Sequence, residues 1–371
     1  MNSPKICLVG TRGIPARYGG FETFAEEIST LLAASGLEVA VQCEPGNEKI
    51  SIYKGVSLFF SSVKKSGHPL KYFYEGISWG VKNCDIIIVA STAGSIFYWL
   101  NTFRRRTIIT NPDGLEHKRR KWSLPKRAYL KLSEMMACRL SDYLVADSDA
   151  IRSYLNDKYG LTDKKIRVIE YGAYENLYCD DGVLADYRLV RNNYFLVVSR
   201  LEPENNIEMI IEGYTGAATV SPLVIVGNIL DNRYVKSLVN RYSSDRIRFI
   251  GGIYDRQELN ALRFACKAYI HGHSVGGTNP SLLEAMGSHN LILAHDNKFN
   301  REVTGNSQLY FSSAEQCRKN INEIELMSSG EIQKLKDDGH RLISEKYNWD
   351  NVLRKYLDLI SAIEARNGGN T

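Results

Sequence analysis

Short apolar runs rich in β-branched residues alternate with helix-period segments along almost the whole chain, and this alternation restricts the fold more than any other feature. Residues 5–10 (KICLVG), 38–43, 85–91, 107–110, 142–148 and 166–172 form one series, and 194–200, 222–227, 247–252, 268–272 and 291–295 form a second. Several runs are apolar at consecutive positions, as strands covered on both faces require. The pattern predicts an α/β protein with two Rossmann-like, doubly wound parallel sheets, and 371 residues suit two domains better than one. The stretch 173–193 (AYENLYCDDGVLADYRLVRNN) is polar and without a clear period, so it reads as the link. The expected division is 1–185, 186–347, and a C-terminal helix over 348–371. That helix carries Val352, Tyr356, Leu359, Ile360 and Ile363 on one stripe, as expected of a segment packing back across the domains. Two such sheets face a central cleft with their carboxyl ends, where ligands of these folds bind.

Two loops concentrate glycine at strand-to-helix junctions. In GTRGIPARYGGFETFAEEI (10–28), Gly13, Gly19 and Gly20 precede a helical face of Phe21, Phe24, Ala25, Ile28, Leu31 and Leu32. Free amides at a helix start attract anions, and glycine lets a phosphate approach the backbone. Neither GxGxxG nor a GK[ST] ending is present, which excludes the two commonest nucleotide loops; a plain surface turn is the alternative. In HGHSVGGTNPSLLEAMG (271–287), Gly276, Gly277 and Thr278 lead to Asn279 as helix cap, Pro280 at the first helical position, then Ser281 and Glu284. His271 and His273 flank this loop, as core residues or as ligands. One anion site per domain implies a ligand such as a nucleotide diphosphate-sugar.

The remaining signals concern surroundings. Seven scattered cysteines without a CxxC argue against a disulfide framework or zinc site and for a reducing compartment. No signal peptide is visible at the start, and no apolar run approaches the roughly 20 residues of a spanning helix. The net charge is only +5, but HKRRKWSLPKRAYLK (117–131) holds seven Lys or Arg and no acid, with Arg104, Arg105 and Arg106 upstream. Trp122, Leu124, Tyr129, Leu130 and Met135 are interleaved with these charges, as in an interfacial helix. Lys118, Arg119, Arg120, Lys121 and Trp122 are therefore candidate membrane or acceptor contacts, with a solvated surface as the alternative. RNA-binding signatures are absent, so an anionic membrane rather than nucleic acid is the expected partner, and the expected location is the inner face of the cell membrane.

The pairing of SRLEPENN (199–206) with NPSLLEAM (279–286) resembles the retaining GT-B glycosyltransferases of family 4. The opening 10–28, DGLEHKRRKW (113–122) and AHDNKFNREVTG (294–305) are similar to a narrower branch, bacterial rhamnosyltransferases of capsule and cell-wall polysaccharide assembly. The resemblance implies that Arg200 holds the donor diphosphate and Glu284 the ribose. It implies an acceptor-side first domain and a nucleotide-sugar-binding second one. A lysine common in the family is replaced by Asn205 or Asn206, leaving Asn205 a neutral donor. The first of the family's paired glutamates is replaced by Gly276, which is compatible with a deoxysugar. Asp113, Glu116 and His117 are the candidates near the reacting centre; Asp113 ranks first, and His117 is expected to face lipid or phosphate. The implied reaction is transfer of L-rhamnose from dTDP-β-L-rhamnose to a lipid-linked saccharide with retention. The donor nucleotide is dTDP or UDP, and neither a metal nor a further cofactor is expected. A sugar-nucleotide epimerase of the same fold, or a nucleic-acid-binding or scaffold protein, are the competing readings.

Overall fold

The structure, a computed structural model, describes residues 3–16, 19–46, 50–112, 114, 116–118, 122–230 and 232–368, without the side chains of 118, 367 and 368. Among these the chain divides into two compact units, one of residues up to 118, 122–171 and from 349 onward, the other of 172–348.

In the first unit the strands are β1 (Lys5–Val9), β2 (Glu38–Cys43), β3 (Ile52–Tyr53), β4 (Val56–Phe60), β5 (Ile86–Ala90), β6 (Thr107–Asn111), β7 (Tyr143–Ala146) and β8 (Ile166–Val168). They lie in the order β3-β4-β2-β1-β5-β6-β7-β8, parallel except for the β3–β4 hairpin. Ile6 at the centre pairs with Val39 on one side and Ile86 on the other. Strand β5, IIIVA, is buried at every position, the reason its apolar residues run consecutively. The connections are α1 (Gly20–Ala34), α2 (Pro69–Asn83), a 3-10 helix (Thr92–Asn101), α3 (Leu124–Leu140) and α4 (Asp149–Tyr159). The chain moves one way along the sheet through α1, and the other way through α2, the 3-10 helix and α3. Right-handed crossovers therefore place α1 on one face and those three on the other.

The second unit has β9 (Phe195–Val198), β10 (Leu223–Val226), β11 (Ile247–Gly251), β12 (Ala268–His271), β13 (Ile292–His295) and β14 (Leu309–Phe311), all parallel in the order β11-β10-β9-β12-β13-β14. Its helices are α5 (Asp181–Asp186), α6 (Ile207–Thr215), α7 (Arg233–Tyr242), α8 (Arg256–Ala265), α9 (Pro280–Gly287), α10 (Lys298–Val303), α11 (Ala314–Leu326) and α12 (Ser329–Glu345). Phe195, Ile210, Ile225, Ile270, Leu293 and Phe311 belong to one continuous buried core.

The last helix, α13 (Trp349–Gly368), returns to the first unit. Its expected stripe is buried, and Tyr356 lies 6.1 Å from Phe24 of α1, ring to ring. Lys355 pairs with the buried Glu170.

All eleven expected strands are present; β3, β4 and β14 are additional. These are two- to five-residue strands with half-exposed positions, too short for their apolar residues to form a distinct strand signal. The division between units falls at 171/172 rather than 185. Residues 172–185 are tied to the second unit, where Asn176 N–H donates to the Gly287 carbonyl at 2.8 Å and its side chain to the Asn260 carbonyl at 3.2 Å. Polarity suggested a free link there, but backbone pairing anchors it. Among the described residues no helix is long and apolar enough to cross a membrane.

Candidate functional site

At the carboxyl ends of β9 and β12, two loops are stitched together. Asn206, in the left-handed region at φ 51°, donates from its side chain to the Gly272 carbonyl at 2.7 Å. Ser274 donates to the Glu204 carbonyl from its backbone at 3.0 Å and from its hydroxyl at 2.8 Å. The approach is close enough that a Cβ on Gly272 would sit 2.1 Å from the Asn205 carbonyl oxygen. Glycine is required there by space.

Arg200 leaves this platform half-exposed, its guanidinium 3.8 Å from Glu202. Asn205 is buried, and its amide donates to the Arg200 carbonyl at 2.7 Å. It thus fixes the arginine's backbone; the sequence had suggested only a substitute for the missing lysine.

On the facing loop Gly276 has φ 149°, a conformation unfavourable to any L side chain, although open space surrounds its Cβ position. Backbone conformation, rather than room, excludes the paired glutamate of the resembling family. Asn279 caps α9 as expected, its side-chain oxygen accepting from Ser281 N–H at 3.1 Å and from the Ser281 hydroxyl at 3.0 Å. The Leu282 and Leu283 amides return to the Asn279 carbonyl. The first-turn amides expected to face an anion are therefore satisfied internally. The amides of Gly276 and Gly277 have no acceptor among the described residues. Thr278 is buried behind them.

Glu284 lies one turn into α9 and pairs with the buried Arg263 of α8 through one carboxylate oxygen. Arg263 went unnoticed in the sequence. Its signal is a cation among Ala261, Leu262 and Ala265 on the buried face of α8, where a charge needs a partner. Asn297 and Asn300 were also missed as a pair. Each donates to the His273 carbonyl at 3.0 Å, and both also reach the His295 carbonyl. With His273, Gly276, Gly277 and Asn279 they line a small pocket beside the loop.

The two loop histidines separate. His271 is 1% exposed and neither ring nitrogen has a partner. Burial, with His295 nearby, lowers its pKa to about 3, so it is neutral at ordinary pH. It belongs to the core stack, with its ring 4.4 Å from that of His273, and His273 carries the stack to the pocket wall.

In the first unit, the loop before α1 differs from the sequence expectation. Gly13 (φ 108°) is backed against Cys43, whose Sγ and Cα lie 2.6 and 2.7 Å from the position of an added Cβ. It shapes the turn rather than opening it. Gly19 caps α1 in extended backbone and Gly20 begins the helix. No acceptor among the described residues meets their amides. Two carboxylates of α1 close the loop: Glu22 accepts from Arg12 N–H at 3.0 Å and Glu26 from Ala16 N–H at 2.6 Å. Burial raises the Glu26 pKa, yet bonds from Ala16, Tyr53 and Lys54 leave it below the ordinary value. An anion here would meet buried negative charge, so the expected phosphate site is disfavoured.

Asp113, Arg119, Arg120 and Lys121 lie outside the described residues, as does the side chain of Lys118. Glu116 accepts from the Trp122 indole at 3.1 Å, and Lys126 covers the Trp122 ring at 3.3 Å, so this tryptophan is clamped. His117 corrects an expectation: its ring turns inward, Nδ1 lying 3.1 Å from Glu134, instead of facing outward to lipid or phosphate. Glu134 also accepts from Tyr154 (2.9 Å), Lys158 (2.7 Å) and Tyr159 (2.6 Å). Burial opposes its charge, but the bonds from His117, Lys158 and Tyr159 win and lower its pKa to about 2. Among the described residues no cluster of His, Cys, Asp or Glu is placed to hold a metal.

Residues 187–356 match the family model described as Glycosyl transferases group 1, and residues 3–174 match a domain of unknown function, DUF1972. No curated protein matches the chain. Among solved structures, sucrose-phosphate synthase from Thermosynechococcus elongatus is similar with a TM-score of 0.83 at 17% identity, covering 98% of this chain and 99% of that one. HepE from Anabaena in complex with UDP-glucose gives 0.77 at 16%, covering 97% and 100%. Trehalose 6-phosphate synthase from Burkholderia multivorans gives 0.73 at 12%, covering 100% and 98%. At these identities the likeness establishes the fold, which is GT-B; the transferase assignment comes from the family of the second unit.

Proposed function

We propose that this GT-B glycosyltransferase moves L-rhamnose from dTDP-β-L-rhamnose to a lipid-linked saccharide in surface polysaccharide synthesis, retaining anomeric configuration. The supporting observation is the stitched pair of loops, which presents the half-exposed Arg200 beside a glycine loop with unpaired Gly276 and Gly277 amides. A guanidinium and backbone amides suit a diphosphate, and they act most strongly on charge that grows as the bond to it breaks. HepE, similar in fold, is recorded with UDP-glucose, which favours a nucleotide-sugar ligand for the same architecture.

In this reading the acceptor hydroxyl attacks the anomeric carbon as the carbon–oxygen bond to the diphosphate breaks. Its proton passes to a diphosphate oxygen, and Arg200 with the loop amides stabilises the departing charge. Arg263 holds one oxygen of Glu284, leaving the other for the ribose hydroxyls. The rhamnose assignment draws on the branch resemblance and on Gly276, which removes a carboxylate that would otherwise contact sugar hydroxyls. The first unit is assigned the acceptor.

Incubating the purified chain with dTDP- and UDP-sugars and a lipid-linked saccharide tests this. Acceptor-dependent nucleotide release, greatest with dTDP-rhamnose, is expected. Conversion of donor without acceptor would establish the epimerase instead, and transfer of another sugar would correct the donor. Glu284→Ala should weaken donor binding by about tenfold or more, read by calorimetry.

A further inference from the structure

The layer formed by α2, the 3-10 helix and α3 has an outer surface unlike the rest of the first unit. The 3-10 helix packs against both neighbours: Tyr74 of α2 meets Phe97 edge-on at 5.6 Å, and Ser95 donates to the Ser133 carbonyl of α3 at 2.6 Å. Outward from this layer project Trp99 (62% exposed), Phe103 (96%) and Leu124 (77%), with Leu132 half-exposed. Isolated exposed apolar residues are ordinary, but these are large and share one layer. Around them lie exposed Arg104, Arg105, Lys131 and Arg139, none with a carboxylate partner among the described residues.

The acids of the layer are accounted for. Helix α3 contains only Glu134, buried beneath His117, Tyr154, Lys158 and Tyr159. Glu75 of α2 is bonded by Ser61, Ser62 and Lys71. The opposite face is mixed in charge: α13, packed on α1, exposes Asp350, Asp358 and Glu364 together with Arg354 and Arg366.

We propose that the outer face of the α2–3-10–α3 layer docks on an anionic lipid surface, with Trp99 and Phe103 entering the interfacial zone and the flanking cations meeting the headgroups. Aromatic side chains favour that zone, and unpaired cations beside them match negative headgroups. The anchor therefore centres on the turn at 99–105, joined by Leu124 and Lys131 of the basic run 117–131, in which Trp122 is clamped and Leu130 buried. This inference rests on the transferase reading for its purpose, access to an acceptor carried on lipid; the docking itself follows from the surface.

The test is sedimentation of the full chain with phosphatidylcholine vesicles prepared with and without phosphatidylglycerol. The wild type should bind the anionic vesicles, more weakly as salt is added. Replacing both aromatic residues, Trp99→Ser with Phe103→Ser, should lower the partition coefficient by about tenfold or more. Arg104→Glu with Arg105→Glu should lower it by about fivefold per cation or more. Both variants should retain the wild-type melting temperature and turn over a short-chain, water-soluble acceptor normally. Wild-type partitioning in both variants, or no wild-type binding to anionic vesicles, overturns the proposal. Vesicle binding that depends on these residues, without transfer from any donor, would uphold docking and refute the transferase reading.

Discussion

The loops at 11–20 and 271–281 share a plan, strand, glycine-bearing turn, helix, yet they differ in the charge of the groups that close them. In the first, Glu22 and Glu26 bend back from the helix and occupy loop amides. In the second, the neutral Asn279 caps the helix, and His271, at the end of the preceding strand, is kept neutral by burial. Glycine count and position are therefore a poor guide to phosphate binding. The charge of the groups satisfying the backbone matters as well, because a buried carboxylate repels what a helix amide would attract.

That contrast can be broken most directly with donor binding. Arg200→Ala should weaken binding of the nucleoside diphosphate by about a hundredfold, the scale of a lost charge-assisted bond. Glu22→Gln with Glu26→Gln in the other loop should leave it unchanged. Equal losses by calorimetry would mean that both loops serve the ligand.

Acid should separate the units next. The unfolded chain protonates histidine near 6.5, whereas buried His271 resists until about 3. Stability of the second unit should therefore fall as pH drops from 6.5 toward 3, by about 1.4 kcal/mol per unit from this group. Glu134, ordinarily near 4.5 and held at about 2, contributes to the first unit above 4.5 and loses that contribution between 4.5 and 2. Hydrogen exchange at pH 7 and pH 5 should show the second unit loosening first, and His271→Phe should shrink the difference, His295, also lowered by burial, supplying the remainder.

The glycines give two smaller effects. Gly276→Ala should destabilise by about 1–3 kcal/mol through its positive φ, measured by denaturant unfolding. Gly19→Ser meets extended backbone with only Glu22 Oε2, at 3.6 Å, near the Cβ position. It should stabilise by about a few tenths of a kcal/mol as a better helix cap, without altering donor affinity.

The eleven core strands were legible because two-sided burial demands consecutive apolar residues. The short strands β3, β4 and β14, at or next to a sheet edge, were not, since half-solvated strands place no such demand. Asn279 as helix cap was readable from its position before Pro280. Arg263 was only faintly so, as a charge on an apolar helix face, and its pairing with Glu284 joins residues on different helices.

By itself the amino-acid order determined two doubly wound sheets, the glycine turns at their strand ends and the closing amphipathic helix. Periodicity and local backbone preference act over a few residues and leave a direct trace. Tertiary structure alone decided that Glu22 and Glu26 seal one loop, that His117 turns inward to Glu134, and that Trp99 and Phe103 remain in water beside unpaired arginines. Those outcomes depend on which side chains meet across the fold and on the charge and burial they find there, which a linear pattern does not encode.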